Sequence, residues 1–454
     1  FIRDRLDGTL NTANVFPPGI TRIDAGAIKT SGERTTESNT LGQYVEQQFG
    51  LDQRLFITGA LRYDQNSAFG KKNRSAQYPK ISGSYVVFEQ GRGFARVLDE
   101  LRLRSAYGVS GQQPGPTDAL RYLSPITSSV LGGDVAAVTL AGLGNESLKP
   151  ERSQEFEGGF DAGFFHSRAN LQLTYYNKRT TDALISRVLP GSLGATVSRI
   201  ENIGVVSNKG LEASLNSRVV DKQRVALDVN LELSRNANKL VDLGGLPPIT
   251  GFGYQNRAGY PLFGLWWPQM QSYNDANNNG IIEPSEVKVS DSPLFGGPSV
   301  PTRTLSISPT LTLFKRITVS GLLDRRAGFA NLNANEWFQC VPTQNCRAIN
   351  DPKAPLIDQA RAIAGGNGIG AYLEDASFWK LREMSASYSI PERYIARVGA
   401  HTAVLRLTAR NLGTWSKFGS WDPEIATQGN DAAVYNFVQL APPRIWTLRL
   451  NLGF

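Results

Sequence analysis

The sequence predicts an all-β fold: a transmembrane antiparallel β-barrel, with about 13 strands present. Three observations predict it. Apolar and polar residues alternate strictly along segment after segment. The connections between those segments alternate between short and long. The composition is turn-rich and only weakly apolar, with 45 Gly and 24 Pro in 454 residues, 41% hydrophobic and 19% charged. With 21 Phe, 15 Tyr and 7 Trp, the chain has too many aromatics for disorder. It lacks the apolar runs of about 20 residues that a helical membrane protein needs.

Taken in order, residues 1–37 read as an extracellular loop or the end of a preceding segment, and strands follow at 38–50, 54–66, 75–88 and 99–112. Next come 151–164, where Phe156, Phe160, Ala162 and Phe164 share a face, and 168–189, where Leu171, Leu173 and Tyr175 alternate with Asn170, Gln172 and Thr174. Strands at 208–219 and 223–237 follow, the second with Val225, Leu227, Val229, Leu231 and Leu233 on one side. Those at 302–314, 316–330, 375–390 and 402–416 repeat the pattern. The last, 443–454, is the cleanest: Trp446, Leu448, Leu450, Leu452 and Phe454 share one face, and Thr447, Arg449 and Asn451 the other. Side chains of a strand point alternately to opposite faces, so each segment offers one apolar and one polar surface.

Short links follow residues 50, 88, 164, 219, 314 and 390. The long links are 113–150, 238–301, 331–374 and 417–442, and those at 67–74 and 190–207 fall in the long series. Tight turns at one end and long loops at the other are the pattern of outer-membrane barrels. A soluble sandwich or propeller would also alternate, but loops of this length on one end fit a compact soluble domain poorly. Bacterial barrels close with an even number of strands, so an odd count predicts a part of a larger barrel. The final strand looks complete, which places the remainder before residue 1. No charged and apolar leader pattern follows Phe1, so either a leader was removed or the chain begins inside a longer protein.

Forty-eight basic against 40 acidic residues give +8, without a basic run. That argues against nucleic acid and leaves contact with outer-membrane lipid or an ordinary solvated surface. The two cysteines, Cys340 and Cys346, and the two histidines, His166 and His401, nearly exclude a Cys/His zinc site. The close cysteine spacing beside Pro342 and Asn345 predicts a small disulfide-closed loop, hence an oxidising compartment; two free thiols are the other reading.

Several segments carry a resemblance. Arg62-Tyr63-Asp64 with Ser67-Ala68-Phe69-Gly70 and Tyr78-Pro79, then Leu148-Lys149-Pro150-Glu151 with Glu155 and Gly158, come first. Asn202, Gly204, Asn208, Gly210 and Glu212 follow, then Glu374-Asp375-Ala376-Ser377-Phe378 with Leu381-Arg382 and Tyr388. Asn411-Leu412, Asp422-Pro423-Glu424 and Pro443-Arg444 complete the series. In this order they resemble the C-terminal portion of TonB-dependent outer-membrane receptors, in particular the SusC/RagA-like branch. The resemblance implies the last part of a 22-stranded barrel with an N-terminal plug, a shape in keeping with large plugged transporters. It implies the cell outer membrane of a Gram-negative (diderm) bacterium, a TonB-type energy-transducing protein and a SusD-like lipoprotein as partners, and recognition of the terminal Phe454 by barrel-assembly machinery. The plainer reading of Phe454 is a lipid-facing apolar residue.

One segment carries site chemistry of its own. Asp275, Asn277, Asn279, Glu283 and Glu286 occupy positions 1, 3, 5, 9 and 12 of an EF-hand-type loop, with Gly280 at the sharp turn and Ile281 offering its carbonyl at position 7. Calcium takes six to eight hard oxygens in that wrapped order. The expectation is a structural calcium of modest affinity, about 10⁻⁴–10⁻³ M, that stiffens a surface loop; an Asn-rich solvated turn is the plainer reading. Trp266, Trp267 and Trp337 could stack on sugars or peptides, or serve loop packing. No nucleophile elbow, Walker motif or histidine triad appears, so no enzyme is expected. Nutrient import across the outer membrane, of an oligosaccharide, oligopeptide or similar cargo, is the expected function. A structural or adhesive barrel component assembled with another chain is the alternative.

Overall fold

The computed structural model of the chain describes every residue except 90–96, 131–132, 191, 193–197, 252, 426, 429–432 and 439. Among the described residues, 14 strands form one sheet whose order in space is their order in sequence. They are β1 (Ile2–Asn14), β2 (Ile28–Leu51), β3 (Leu55–Asn66), β4 (Ser75–Phe88), β5 (Leu98–Gln112), β6 (Glu151–Phe164) and β7 (Ala169–Val188). Then come β8 (Ser198–Lys222), β9 (Val225–Asp242), β10 (Arg303–Leu313), β11 (Ile317–Ala327), β12 (Phe378–Ser389), β13 (Thr402–Ser416) and β14 (Ile445–Gly453). Neighbours are antiparallel throughout, from β1 on β2 to β13 on β14. The sheet is the wall of a transmembrane β-barrel, and its longest strand, β8, has 25 residues.

The strand count is 14 rather than about 13, and the difference lies in 1–37. That stretch, expected as a loop or the end of a preceding segment, holds β1 and the first part of β2, paired from Ile2↔Thr40 to Asn14↔Ile28. Both partners are polar along much of their length and exposed. On β1 the face that Ile2, Leu6 and Leu10 share is interrupted by Asp4, Gly8 and Thr12, so periodicity does not detect it. β8 likewise begins at 198 instead of 208; register shifts between Asn202 and Gly204 and between Gly204 and Val206 break the two-residue period there.

Register explains the wall. Directly opposed residues share a face, so rows can be followed across strands. Leu171, Leu215, Leu231, Ile307, Leu323 and Leu381 oppose one another in succession from β7 to β12. One residue along, on the other face, Gln172, Ser214, Glu232, Ser306, Asp324 and Lys380 do the same. One face is therefore an apolar belt and the other a polar lining. On β14 the belt side chains Trp446 and Leu448 are 65% and 69% exposed, an arrangement costly in water and natural in lipid. No described helix is long and apolar enough to cross a membrane; the strands cross instead.

Two turns at one end are tight, while the β12–β13 connection there holds the helical turns Glu392–Ile395 and Ala396–Val398. Asp52 and Gln53 have φ of 52° and 55°, Phe314 and Lys315 of 52° and 59°. In each case the next residue's N–H closes the turn at 3.0 Å, Arg54 to Leu51 and Arg316 to Leu313. Two consecutive left-handed residues make a type I′ turn, whose twist matches that of the strands it joins.

The long connections at the other end fold together. The β9–β10 link contains a four-stranded sheet and a separate two-stranded ribbon, Met270–Tyr273 with Val287–Val289. The β11–β12 link contains α1 (Ala334–Cys340), α2 (Arg347–Asn350) and α3 (Leu356–Gly365). Its short strand Ala330–Asn333 pairs antiparallel with Leu373–Asp375 and parallel with Ala433–Asn436 of the β13–β14 link. Leu332, Ala334, Cys340, Ala362, Ile369 and Tyr372 are buried there, with Trp267, Trp337 and Phe437 packed on them. Among the described residues the largest apolar cluster lies in this cap; a smaller one, Ala183, Val206, Leu240 and Leu243, forms where β7, β8 and β9 meet their links.

Candidate functional site

The 275–286 loop hangs from the two-stranded ribbon. The Asp275 carboxylate accepts the N–H groups of Asn279 at 3.1 Å and Gly280 at 2.9 Å. Asn277 Oδ1 accepts from Asn279 N–H at 3.0 Å, and Asn279 Oδ1 from Ile281 N–H at 2.7 Å. Gly280 has φ +78° with open space where a Cβ would stand; the left-handed conformation is what requires glycine there. At the far end Glu286 accepts from Ala276 N–H at 2.8 Å and from Glu283 N–H at 2.9 Å. Glu283 and Glu286 also cap the helical turn Pro284–Glu286, and Glu283 meets Asn277 Nδ2 at 3.5 Å.

Every donor atom here is a hard oxygen, the chemistry that suits calcium or magnesium rather than zinc. Backbone N–H groups pin the oxygens of Asp275, Asn277, Asn279 and Glu286, and each oxygen keeps a second lone pair. Among the described residues no group of three or more His, Cys, Asp or Glu gathers as a metal site. A cation in this loop would therefore need the Asn oxygens and the Ile281 carbonyl beside the carboxylates.

The loop is not free-standing. Ile282, 4% exposed, inserts beneath it, and Gln359 of α3 is equally buried. Gln359 Oε1 accepts the Ile282 N–H at 2.9 Å, while Nε2 donates to the carbonyls of Gly280 at 3.2 Å and Ala354 at 2.9 Å. Sequence offered no sign of this residue, because a glutamine on a short helix ordinarily faces water.

A second cluster fixes the β13–β14 link to the lining. Lys380 Nζ donates to Asp422 Oδ2 at 2.7 Å and Glu424 Oε2 at 2.9 Å. Arg382 forks onto Glu424 at 3.0 and 2.8 Å and reaches Asp324 Oδ2 at 2.7 Å through Nε. Arg326 lies 3.4 Å from Glu424 and 3.5 Å from Asp324. Burial alone would raise the Glu424 carboxyl, but hydrogen bonds from Arg382 and Lys380 outweigh it and hold it at about 2. At Glu336 burial wins over Arg361 and pushes the carboxyl up. The motif residues Arg382, Asp422 and Glu424 were visible in sequence; their meeting across some 42 positions was not.

The aromatic candidates pack inward. Trp266 is buried against Tyr260 and Phe295, ring centroids 4.8 and 5.4 Å away. Trp337 donates its indole N–H to the Gly365 carbonyl at 3.1 Å, and Trp267 packs on the cap core. Cys340 and Cys346 are bonded to each other, Cα atoms 4.9 Å apart, bridging α1 and α2. Phe454 is exposed just beyond β14.

Comparison with known proteins places this geometry. The family model described as TonB dependent receptor-like, beta-barrel matches residues 3–412. The chain is 28% identical to TonB-dependent receptor P26 of Formosa agariphila over 456 residues, covering 89% of this chain and 45% of that protein. It is 27% identical to TonB-dependent receptor SusC of Bacteroides thetaiotaomicron over 215 residues, 46% of this chain and 21% of that one. Its fold superposes on a chain of the RagAB peptide transporter structure with a TM-score of 0.83 at 19% identity, covering 100% of this chain and 52% of that chain. The chain spans about half the length or less of these relatives.

Proposed function

Because the chain belongs to the TonB dependent receptor-like β-barrel family, we propose that it forms wall and outer mouth of an importer in the outer membrane of a Gram-negative bacterium. The observation that carries this reading is the wall itself. An apolar belt on one face and a row of Gln, Ser, Glu, Asp and Lys on the other make a lipid-embedded structure with a wet interior. The long connections, folded into a cap at one end, supply the surface on which a cargo would first land. We assign the chain no catalytic step.

The likeness to SusC and to the RagAB peptide transporter supports three further parts of the proposal. The cargo is an oligosaccharide, an oligopeptide or a molecule of similar size. Energy comes from a TonB-type periplasmic protein. A SusD-like lipoprotein covers the mouth. Uptake of fluorescently labelled oligosaccharides and oligopeptides tests the reading in cells with the gene, without it, and without the TonB-type protein. Uptake lost in both deletions is the expected result; equal uptake in all three strains would overturn it.

We also propose that the 275–286 loop holds a structural calcium through Asp275, Asn277, Asn279, Glu283 and Glu286 and the Ile281 carbonyl. Support comes from the order of the donors, the all-oxygen set and the wrapped hydrogen bonding. When bound, the ion would offset two of the three carboxylate charges and stiffen the loop.

A further inference from the structure

The three long connections β9–β10, β11–β12 and β13–β14 touch one another in ways that separate loops do not. We propose that they form one mechanical body, a cap anchored to wall strands β11 and β12 through Lys380 and Arg382, so that loosening any one of them loosens the other two while the wall stays intact. The inference does not depend on the cargo or on calcium.

The first joint links the β9–β10 and β11–β12 connections. All the hydrogen-bonding capacity of the buried Gln359 amide that the fold uses is divided between its own connection, at Ala354, and the neighbouring one, at Gly280 and Ile282. Two glycines here leave no room for a side chain, Gly296 against the Leu373 side chain and Gly370 against the Pro268 backbone. A Cβ on Gly296 would stand 1.8 Å from Leu373 Cδ2, and one on Gly370 2.1 Å from the Pro268 carbonyl oxygen. Close-packed contacts of this kind transmit displacement rather than absorb it.

The second joint links the β11–β12 and β13–β14 connections. Strand residues Leu332 and Asn333 pair with Tyr435 and Asn436 in parallel register. Asn335 Nδ2 donates to Asn436 Oδ1 at 2.8 Å and to Ser420 Oγ at 3.0 Å, and its Oδ1 accepts the Val438 N–H at 2.8 Å. Gly419 N–H donates to Glu374 at 2.6 Å. Asn333 and Asn436 are almost completely buried, and a buried amide network of this kind is held to a single arrangement by the cost of leaving any member unpaired.

The third joint is the anchor. Lys380 and Arg382 stand two and four residues inside the start of β12, on the polar lining. Asp422 and Glu424 therefore meet the wall near the start of β12. Lys380, Arg382 and Arg326 balance Asp422, Glu424 and Asp324, so the cluster is neutral as a set and every charge has a partner.

Hydrogen exchange on the intact protein purified in detergent tests this, with Gln359→Ala at the first joint and Lys380→Met/Asp422→Leu at the anchor. Heat-dependent gel mobility confirms a folded wall for each. The expected result is that either variant raises exchange about tenfold in all three places, 278–284, α3 and 418–425, while β11 and β12 stay protected. A rise confined to the connection that carries the substitution would overturn the proposal. Should the anchor variant fail to assemble, Gln359→Ala alone decides, because its own joint lies far from 418–425 in sequence.

Discussion

At the scale of residues, charge and hydrogen bonding make the sharpest predictions. Glu424 is held at about 2 against an ordinary 4.5. A carboxyl depressed on folding contributes stability that is complete above its unfolded value and fades as pH falls toward its folded one. Cap stability should thus hold from neutral pH to about 4.5 and then decline by about 2–3 kcal/mol as pH approaches 2. Glu336, raised by burial, has the opposite sign and gains from protonation, so it partly masks the decline. Glu424→Gln should flatten the acid limb of a cap melting curve followed by tryptophan fluorescence; an unchanged limb would refute the assignment. Calcium makes a second prediction. At about 10 mM and an affinity of about 10⁻⁴–10⁻³ M, binding to the folded loop adds about 1.4–2.7 kcal/mol. Chelation should lower the cap melting point and expose 275–286 to protease, and Asp275→Ala should abolish both responses. The sequence made that loop legible because its donors lie in one short run. It left Gln359 and the Lys380 partners illegible, since their meanings depend on residues far away in the chain.

At the scale of elements, the wall strands were readable wherever lipid demanded it. β14 shows why: Leu448 and Leu450 oppose Leu407 and Leu405, while Arg449 opposes Arg406 on the lining. An arginine in place of Leu448 should cost about 2–4 kcal/mol if that position lies near the middle of the bilayer. Arg449→Gln should cost almost nothing. Urea unfolding in lipid bilayers measures both, and equal costs would contradict the assignment of faces. The early hairpin β1–β2 escaped the sequence because Asp4, Gly8 and Thr12 interrupt the face that Ile2, Leu6 and Leu10 share, yet its ladder of Cα partners is unbroken. The helices α1–α3 escaped for another reason. They are short, and what they bury is mostly small residues such as Ala334, Ala360 and Ala362, so no helical period stands out. Trp266 and Trp267 illustrate the same limit: sequence left them open to ligand stacking or packing, and the structure packs them.

At the scale of the whole molecule, two bodies of different construction are joined at one cluster of charges. The wall is a hydrogen-bonded ladder whose strands support one another in lipid. The cap is a small core, tied down by a disulfide and buried amides. Heating in detergent should therefore give two transitions: first a change in tryptophan fluorescence from Trp266, Trp267 and Trp337, then, at a higher temperature, the shift in gel mobility that reports loss of the wall. A single coincident transition would refute the separation. What the sequence by itself determined was the wall: strand after strand, its faces, the alternation of turn and loop, and the family. A strand between lipid and water must alternate whatever its neighbours are, so that constraint is written locally. What only the tertiary structure decided was the cap and its anchor. Lys380 with Asp422, 42 residues apart, and Asn335 with Val438, 103 apart, obey no period. Their pairing follows from where the folded links bring them, and from the cost of burying a charge or an amide that has no partner.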